Sequence, residues 1–236
     1  MMSVPPEKPV LVFDLDETLI ASEKVYDTTI FAYRLTAIKV NEKLLEIIHT
    51  AKGRGFPILL LTNNENAKVI FEGVEGRFID VSIEELTKAY TEKYGPVDHL
   101  FDKILTAERG RNSVNNSNSV KRTYLKKRID IHYKDKNGQN RIRYYAKPVK
   151  SLQDVRNMLG RDIKGSDVYF FDDDNEHQLC YESKFIHITP PFSGKGDDAT
   201  DYSLVNANAK GGRRTRRRRG RRGSKGRKLK ELRHGM

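Results

Sequence analysis

Val10-Leu-Val-Phe-Asp14-Leu-Asp16-Glu-Thr18-Leu-Ile20 is an apolar run that ends abruptly in two carboxylates and a hydroxyl. Consecutive apolar residues bounded by charge read as a strand buried on both faces, the parallel-sheet kind. Asp14 then stands at the strand's carboxyl end, where open α/β sheets bind their ligands. A carboxylate there, with a second two residues on, suits covalent phosphoryl transfer. Asp14 would attack phosphorus, while Asp16 first protonates the leaving oxygen and later activates water. Acids also end strands and open turns for purely structural reasons, so the other strand ends must decide.

Pro57-Ile-Leu-Leu-Leu-Thr62-Asn63-Asn64 repeats the pattern with a hydroxyl and two amides. Thr62, Asn63 and the N–H groups after them suit phosphoryl oxygens, with a helix expected from near Glu65 aiming its free amides there. Helix capping is the alternative use of the same residues. Val168-Tyr-Phe-Phe-Asp172-Asp173-Asp174-Asn-Glu176-His177 ends a third run in three adjacent aspartates. Such crowding calls for positive charge, and Mg²⁺ takes one or two carboxylates together with water and phosphate oxygens. Glu176 suits the first turn of a helix, and His177 a cap or a packing position. Lys147, followed by Pro148, and its rival Lys150 are the candidate ammonium groups. One of them would offset repulsion between an anionic nucleophile and an anionic substrate.

Asp14-Leu-Asp16-Glu-Thr-Leu, with Ser22 behind it, resembles the first motif of the haloacid dehalogenase superfamily. It is closest to the small protein-phosphatase branch related to the polymerase C-terminal-domain phosphatases. Thr62, Lys147-Pro148 and Asp172-Asp173 follow in the order of that superfamily's remaining motifs. The resemblance implies a Rossmann-like α/β domain and a Mg²⁺-dependent phosphomonoester hydrolase working through an aspartyl-phosphate on Asp14. It assigns the metal to Asp14, the backbone carbonyl of Asp16 and Asp172, with Asp173 a ligand through water or an orienting neighbour. It favours Lys147 over Lys150, because a Lys-Pro pair about 25 residues before the metal aspartate is a common superfamily spacing. The spelling of the first motif implies a phosphoprotein substrate. Asp172-Asp173-Asp174-Asn175 departs from the shorter acid–Ser form of that branch. A nucleic-acid 3′- or 5′-phosphate is therefore the alternative substrate, and a nucleic-acid-binding protein with an inactive fold the alternative of another class.

Charge splits the chain. Of 44 Lys+Arg and 32 Asp+Glu, residues 210–236 hold 14 basic and one acidic, so residues 1–209 are close to neutral. Glycine and like charge preclude a core in the Arg/Gly-rich stretch 211–236, which is expected to be disordered. Its arginines suit phosphate contact with nucleic acid, or an import signal read as a nuclear or nucleolar address. Such tails also resemble those of many large-DNA-virus proteins. Cys180 is the sole cysteine, so an intracellular setting is expected. No long apolar run and no signal-like N-terminus is visible, which argues against a membrane partner.

Residues 1–195 read as one catalytic α/β domain, followed by a linker over 196–210. Residues 17–35 look like a turn and a short hairpin-like flap, which leaves no room for a large cap. Leu44, Leu45, Ile47 and Ile48 space a helix over 41–52, stopped by Gly53 and Gly55. A strand over 57–61 precedes a helix starting over 66–71, then a clearer helix over 83–93 stopped by Gly95-Pro96. Strands over 101–106, 168–171 and 185–189, with a helix over about 151–159, complete a central parallel sheet of about five strands flanked by helices. Residues 109–146 form an insert: a polar run, then alternating stretches either side of Asn137-Gly138, a hairpin signal. Residues 109–150 carry 13 basic and two acidic side chains, which suits an anionic substrate. Tyr133, Tyr144 and Tyr145 among them would stack on bases or pack the hairpin.

Overall fold

The computed structural model describes residues 8–64, 67–106, 125–134, 139–195, 199–203 and 205, with the backbone alone for 125–134 and 140–148. In chain order the first half holds β1 (Val10–Phe13), β2 (Ile20–Asp27), β3 (Ala32–Val40), α1 (Glu42–Gly53), β4 (Ile58–Leu61), β5 (Lys68–Phe71), β6 (Val74–Arg77) and α2 (Phe78–Tyr94). There follow β7 (Lys103–Leu105), β8 (Leu125–Lys134), β9 (Asn140–Val149), α3 (Leu152–Leu159), β10 (Val168–Asp172), α4 (Gln178–Glu182) and β11 (Lys184–His187).

Five strands in the order β11-β10-β1-β4-β7 make one sheet, and its pairings are parallel. The period-two geometry of a strand explains why these runs are apolar throughout. Leu11, Phe13, Ile58, Leu60, Tyr169 and Phe171 face one core with Leu44, Leu45 and Ile48 of α1. Val10, Val12, Leu59, Leu61, Val168 and Phe170 face the other, with Val155 and Met158 of α3. Each fully buried Leu or Phe contributes about 1.5–3 kcal/mol, so both faces must be covered. Asn41 starts α1 by accepting the Leu44 N–H, and Gly160 ends α3 in the left-handed region at φ 68°. This is a mixed α/β architecture consistent with a Rossmann-like fold.

Beside the parallel sheet stands a second one of four strands, in the order β2-β3-β5-β6. The expected short flap is a long hairpin, β2 against β3, with a bulge between Glu23 and Lys24. The helix expected over 66–71 is absent. Lys68–Phe71 is strand β5, turning through Glu72 (φ 51°) and Gly73 (φ 81°) into β6 and pairing in parallel with β3. A two-residue turn with both φ positive is a hairpin connection, and Glu72-Gly73 hides it because glutamate is rare there. The next helix begins at Phe78, five residues ahead of the expected Ile83. Among the described residues no helix follows Thr62 closely, so its neighbouring amides are not those of a helix start.

The insert hairpin is present as the antiparallel ribbon of β8 and β9, from Leu125 opposite Val149 to Lys134 opposite Asn140. The polar run 111–119, the turn residues Asn137 and Gly138, the side chains of Tyr133, Tyr144, Tyr145 and Lys147, most of the linker 196–210, and the tail 211–236 lie outside the described residues. No described helix is long and apolar enough to cross a membrane.

Candidate active site

Register builds the site. β1 and β10 run side by side with Val10 beside Val168 and Phe13 beside Phe171. Those two phenylalanine rings stack with centroids 4.4 Å apart. The next residue of each chain, Asp14 and Asp172, is therefore delivered to the same sheet edge. The Asp14 N–H donates to the Phe171 carbonyl at 2.9 Å, which locks that level. From β1 the chain crosses to β4 on one side, and from β10 to β11 on the other. Such a reversal opens the crevice in which α/β sheets hold ligands.

Lys150, the first residue after β9, spans that crevice. Its Nζ donates to Asp14 Oδ1 and Asp172 Oδ2, each at 2.5 Å, and only 1% of the residue is exposed. Burial alone would lower its pKa, yet Asp14 and Asp172 outweigh this and hold it above the ordinary lysine value. Of the two candidate lysines it is Lys150, not the favoured Lys147, whose ammonium is described here. β9 runs past residue 146, the expected end of the insert, through Val149, and so places Lys150 at the rim. The ammonium also lies 5.6 Å from the centre of the Phe170 ring beneath it.

Even with that ammonium, the site is crowded with negative charge. Burial, then the Asp14 charge, push the Asp172 carboxyl up to about 7 against the pull of Lys150. Burial and Asp14 raise Asp173 to about 6. Asp172 Oδ1 accepts the Asp174 N–H at 2.8 Å. The fully buried Thr18 donates its hydroxyl to Asp173 Oδ1 and accepts the Asp173 N–H, both at 3.2 Å. Thr18 thus ties the first acidic loop to the last. Asp14, Asp172 and Asp173 each offer an oxygen within 4.8 Å of the others. An all-oxygen donor set with excess negative charge fits a hard divalent cation, and Mg²⁺ in particular keeps water and phosphate oxygens alongside one or two carboxylates.

Asp16 turns away from that cluster. Its carboxylate accepts from Ser22 Oγ at 3.3 Å and from Lys24 Nζ at 3.0 Å, on the hairpin strand β2. Its side chain stays 24% exposed. Glu17, the next residue, has φ 61° and turns the chain back toward β2. Thr62 is buried at the end of β4, one strand over from Asp14, and its Oγ1 accepts the Asn64 N–H at 3.0 Å. Asn63 is half-buried in the same turn. His177, read from sequence as a cap or packing residue, is buried and accepts the Lys150 backbone N–H on Nδ1 at 3.3 Å. Thr18, Ser22, Lys24 and His177 are the site-forming side chains that sequence reasoning did not assign a partner. Only Thr18 and Ser22 carried a signal, as hydroxyls within or beside the acidic motif.

No protein-family model matches this chain, and a search of curated proteins finds no match either.

Proposed function

We propose that the protein is a Mg²⁺-dependent phosphomonoester hydrolase of haloacid-dehalogenase type that works through an aspartyl-phosphate on Asp14. The observation that carries this reading is the convergence of Asp14, Asp172, Asp173 and Lys150 at the carboxyl ends of two adjacent parallel strands. An Asp14 oxygen attacks phosphorus, the ester P–O bond breaks, and the leaving oxygen takes a proton from Asp16. A water molecule then gives that proton back to Asp16 as it attacks phosphorus, and the Asp14–phosphorus bond breaks to release inorganic phosphate. Lys150 offsets the repulsion between Asp14 and the incoming dianion, and Thr62 donates its hydroxyl to a phosphoryl oxygen. Mg²⁺, held by Asp14, Asp172 and Asp173 with the Asp16 carbonyl, would neutralise charge on the transferring group.

The substrate we assign is a phosphoprotein, on the spelling of residues 14–19. One observation favours a polynucleotide phosphate instead: residues 109–150, which include the insert and reach Lys150, carry 13 basic and two acidic side chains. The deciding experiment measures hydrolysis of an aryl phosphate, phosphopeptides and phosphorylated oligonucleotides by the full chain, with Mg²⁺ and with chelator. Turnover that needs Mg²⁺ and vanishes in Asp14→Asn supports the reading. Absence of turnover on every substrate, with salt-sensitive nucleic-acid binding, would establish the inactive binding protein.

A further inference from the structure

Lys150 has its ammonium in the crevice, but its backbone lies between β9 and α3 and joins neither. A buried N–H outside any ladder or helix needs a partner of its own. His177 supplies it, with Nδ1 3.3 Å from the Lys150 nitrogen. The Lys150 carbonyl in turn accepts the Leu179 N–H at 3.0 Å. Both backbone groups of Lys150 are therefore fastened to residues 177–179, the N-cap and first residues of α4, which begin three residues after the acidic cluster Asp172–Asp174.

A backbone amide only donates, so Nδ1 is the unprotonated ring nitrogen and the imidazole proton sits on Nε2. Nε2 lies 3.5 Å from Asp174 Oδ2 and 3.8 Å from Asp172 Oδ2. The ring is 2% exposed and stands edge-on to Phe170, the same ring that underlies the Lys150 ammonium. A residue that only filled space would not need to face a backbone donor on one side and two carboxylates on the other.

We propose that His177 is the positioning residue for Lys150: through Nδ1 it fixes the lysine backbone, and thereby the place of the ammonium between Asp14 and Asp172. Its kinetic consequence rests on the phosphatase reading. Asparagine puts an acceptor where Nδ1 stands, whereas glutamine puts its amide where Nε2 stands and leaves the Lys150 N–H without an acceptor. With an aryl phosphate and saturating Mg²⁺, His177→Gln and His177→Leu lose about 10–100-fold in kcat, the range for groups that orient site residues. KM changes little, and His177→Asn recovers most of the loss although it fills less space. Unchanged kcat in His177→Leu, or glutamine performing as well as asparagine, overturns the proposal. Should leucine prevent folding, the asparagine–glutamine pair decides. Nitrogen-15 spectra of the wild-type full chain test the geometry without turnover. The Nε2–H tautomer at His177 and a slowly exchanging Lys150 amide support it. An Nδ1–H tautomer, or a rapidly exchanging Lys150 amide, overturns it. Wild type that hydrolyses no phosphate ester sinks the phosphatase reading, and the spectra then decide the role of His177 alone.

Discussion

Asp14 and Asp16 are two residues apart and live in different surroundings. Asp14 belongs to the floor of the site: it is 7% exposed, shares a buried ammonium with Asp172, and sits on the parallel sheet. Asp16 belongs to the lip: its carboxylate rests on Ser22 and Lys24 of the β2–β3 hairpin, and Lys24 is itself 37% exposed. Two carboxylates in unlike environments are how one site separates two roles. The floor is dry and carries fixed charge, which suits a nucleophile. The lip meets solvent and a hairpin, which suits a group that must hand a proton to a leaving oxygen and take one from water.

The largest effect belongs to the floor's chemistry. Asp14→Asn should lower kcat on an aryl phosphate by roughly 10³-fold or more, about 4 kcal/mol of barrier. Its melting temperature should stay close to wild type, because the amide keeps an acceptor for Lys150 and Asp172 still holds the ammonium. Retained turnover in this variant would remove Asp14 from the nucleophile's role and dissolve the distinction from Asp16.

Next comes the floor's stability. Removing one partner of a buried ion pair costs about 3–5 kcal/mol, because the other is left uncompensated. Lys150→Met leaves Asp14 and Asp172 facing each other, so denaturant unfolding should show a loss in that range. Saturating Mg²⁺ should return part of it, by binding the folded state alone. A loss under 1 kcal/mol would mean that the floor is not the tight electrostatic unit described here.

The floor was legible in the sequence because strand ends are. Apolar runs over 10–13, 58–61 and 168–171 announce buried parallel strands, and register alone then brings Asp14 and Asp172 together. The same logic reached Thr62. The lip was not legible in that way. Its strands alternate weakly and are half exposed, and the tight turn at Glu72-Gly73 lacks the usual Asn or Asp, so Lys68–Phe71 read as a helix. The preference for Lys147 over Lys150 rests on spacing along the sequence, not on a strand end. Where a lysine points depends on where the insert's second strand stops, which spacing does not report, and the ribbon pairs through Val149 and brings Lys150 to the rim. His177 stayed hidden because its partner is a backbone amide, which no pattern of side chains reports.

Proton linkage gives a smaller, graded test. Asp172 and Asp173 have folded-state pKa values raised to about 7 and about 6, chiefly by burial. Groups so raised hold protons when folded at pH values where the unfolded chain has released them. Their contribution to stability is complete below the ordinary aspartate value and is lost as pH rises through about 6 to 7. Without divalent cation, unfolding free energy should therefore fall between pH 4 and pH 7. Metal binding needs the deprotonated carboxylates, so the stabilisation given by a fixed Mg²⁺ concentration should grow over the same interval. Thermal melts across that range, with Mg²⁺ and with chelator, check both slopes. Flat profiles would place the acidic cluster in a wetter setting, closer to the lip's.

The smallest effect tests the lip. Lys24 pairs with Asp16 at 3.0 Å and also lies 4.9 Å from the centre of the Phe78 ring, but water reaches the pair from outside. Exposed ion pairs of this kind contribute about 0–1 kcal/mol. Lys24→Met removes both this pair and the ammonium over the Phe78 ring, each worth no more than about 1 kcal/mol at an exposed site, so its loss in unfolding free energy should stay under about 2 kcal/mol and below that of Lys150→Met. The difference should also shrink near 1 M salt, where the Debye length falls to about 3 Å and exposed charges are screened far more than buried ones. A salt-insensitive loss equal to that of Lys150→Met would mean that Asp16 is buried and fixed as firmly as Asp14. The division into a rigid nucleophilic floor and a solvated acid/base lip would then have no electrostatic basis.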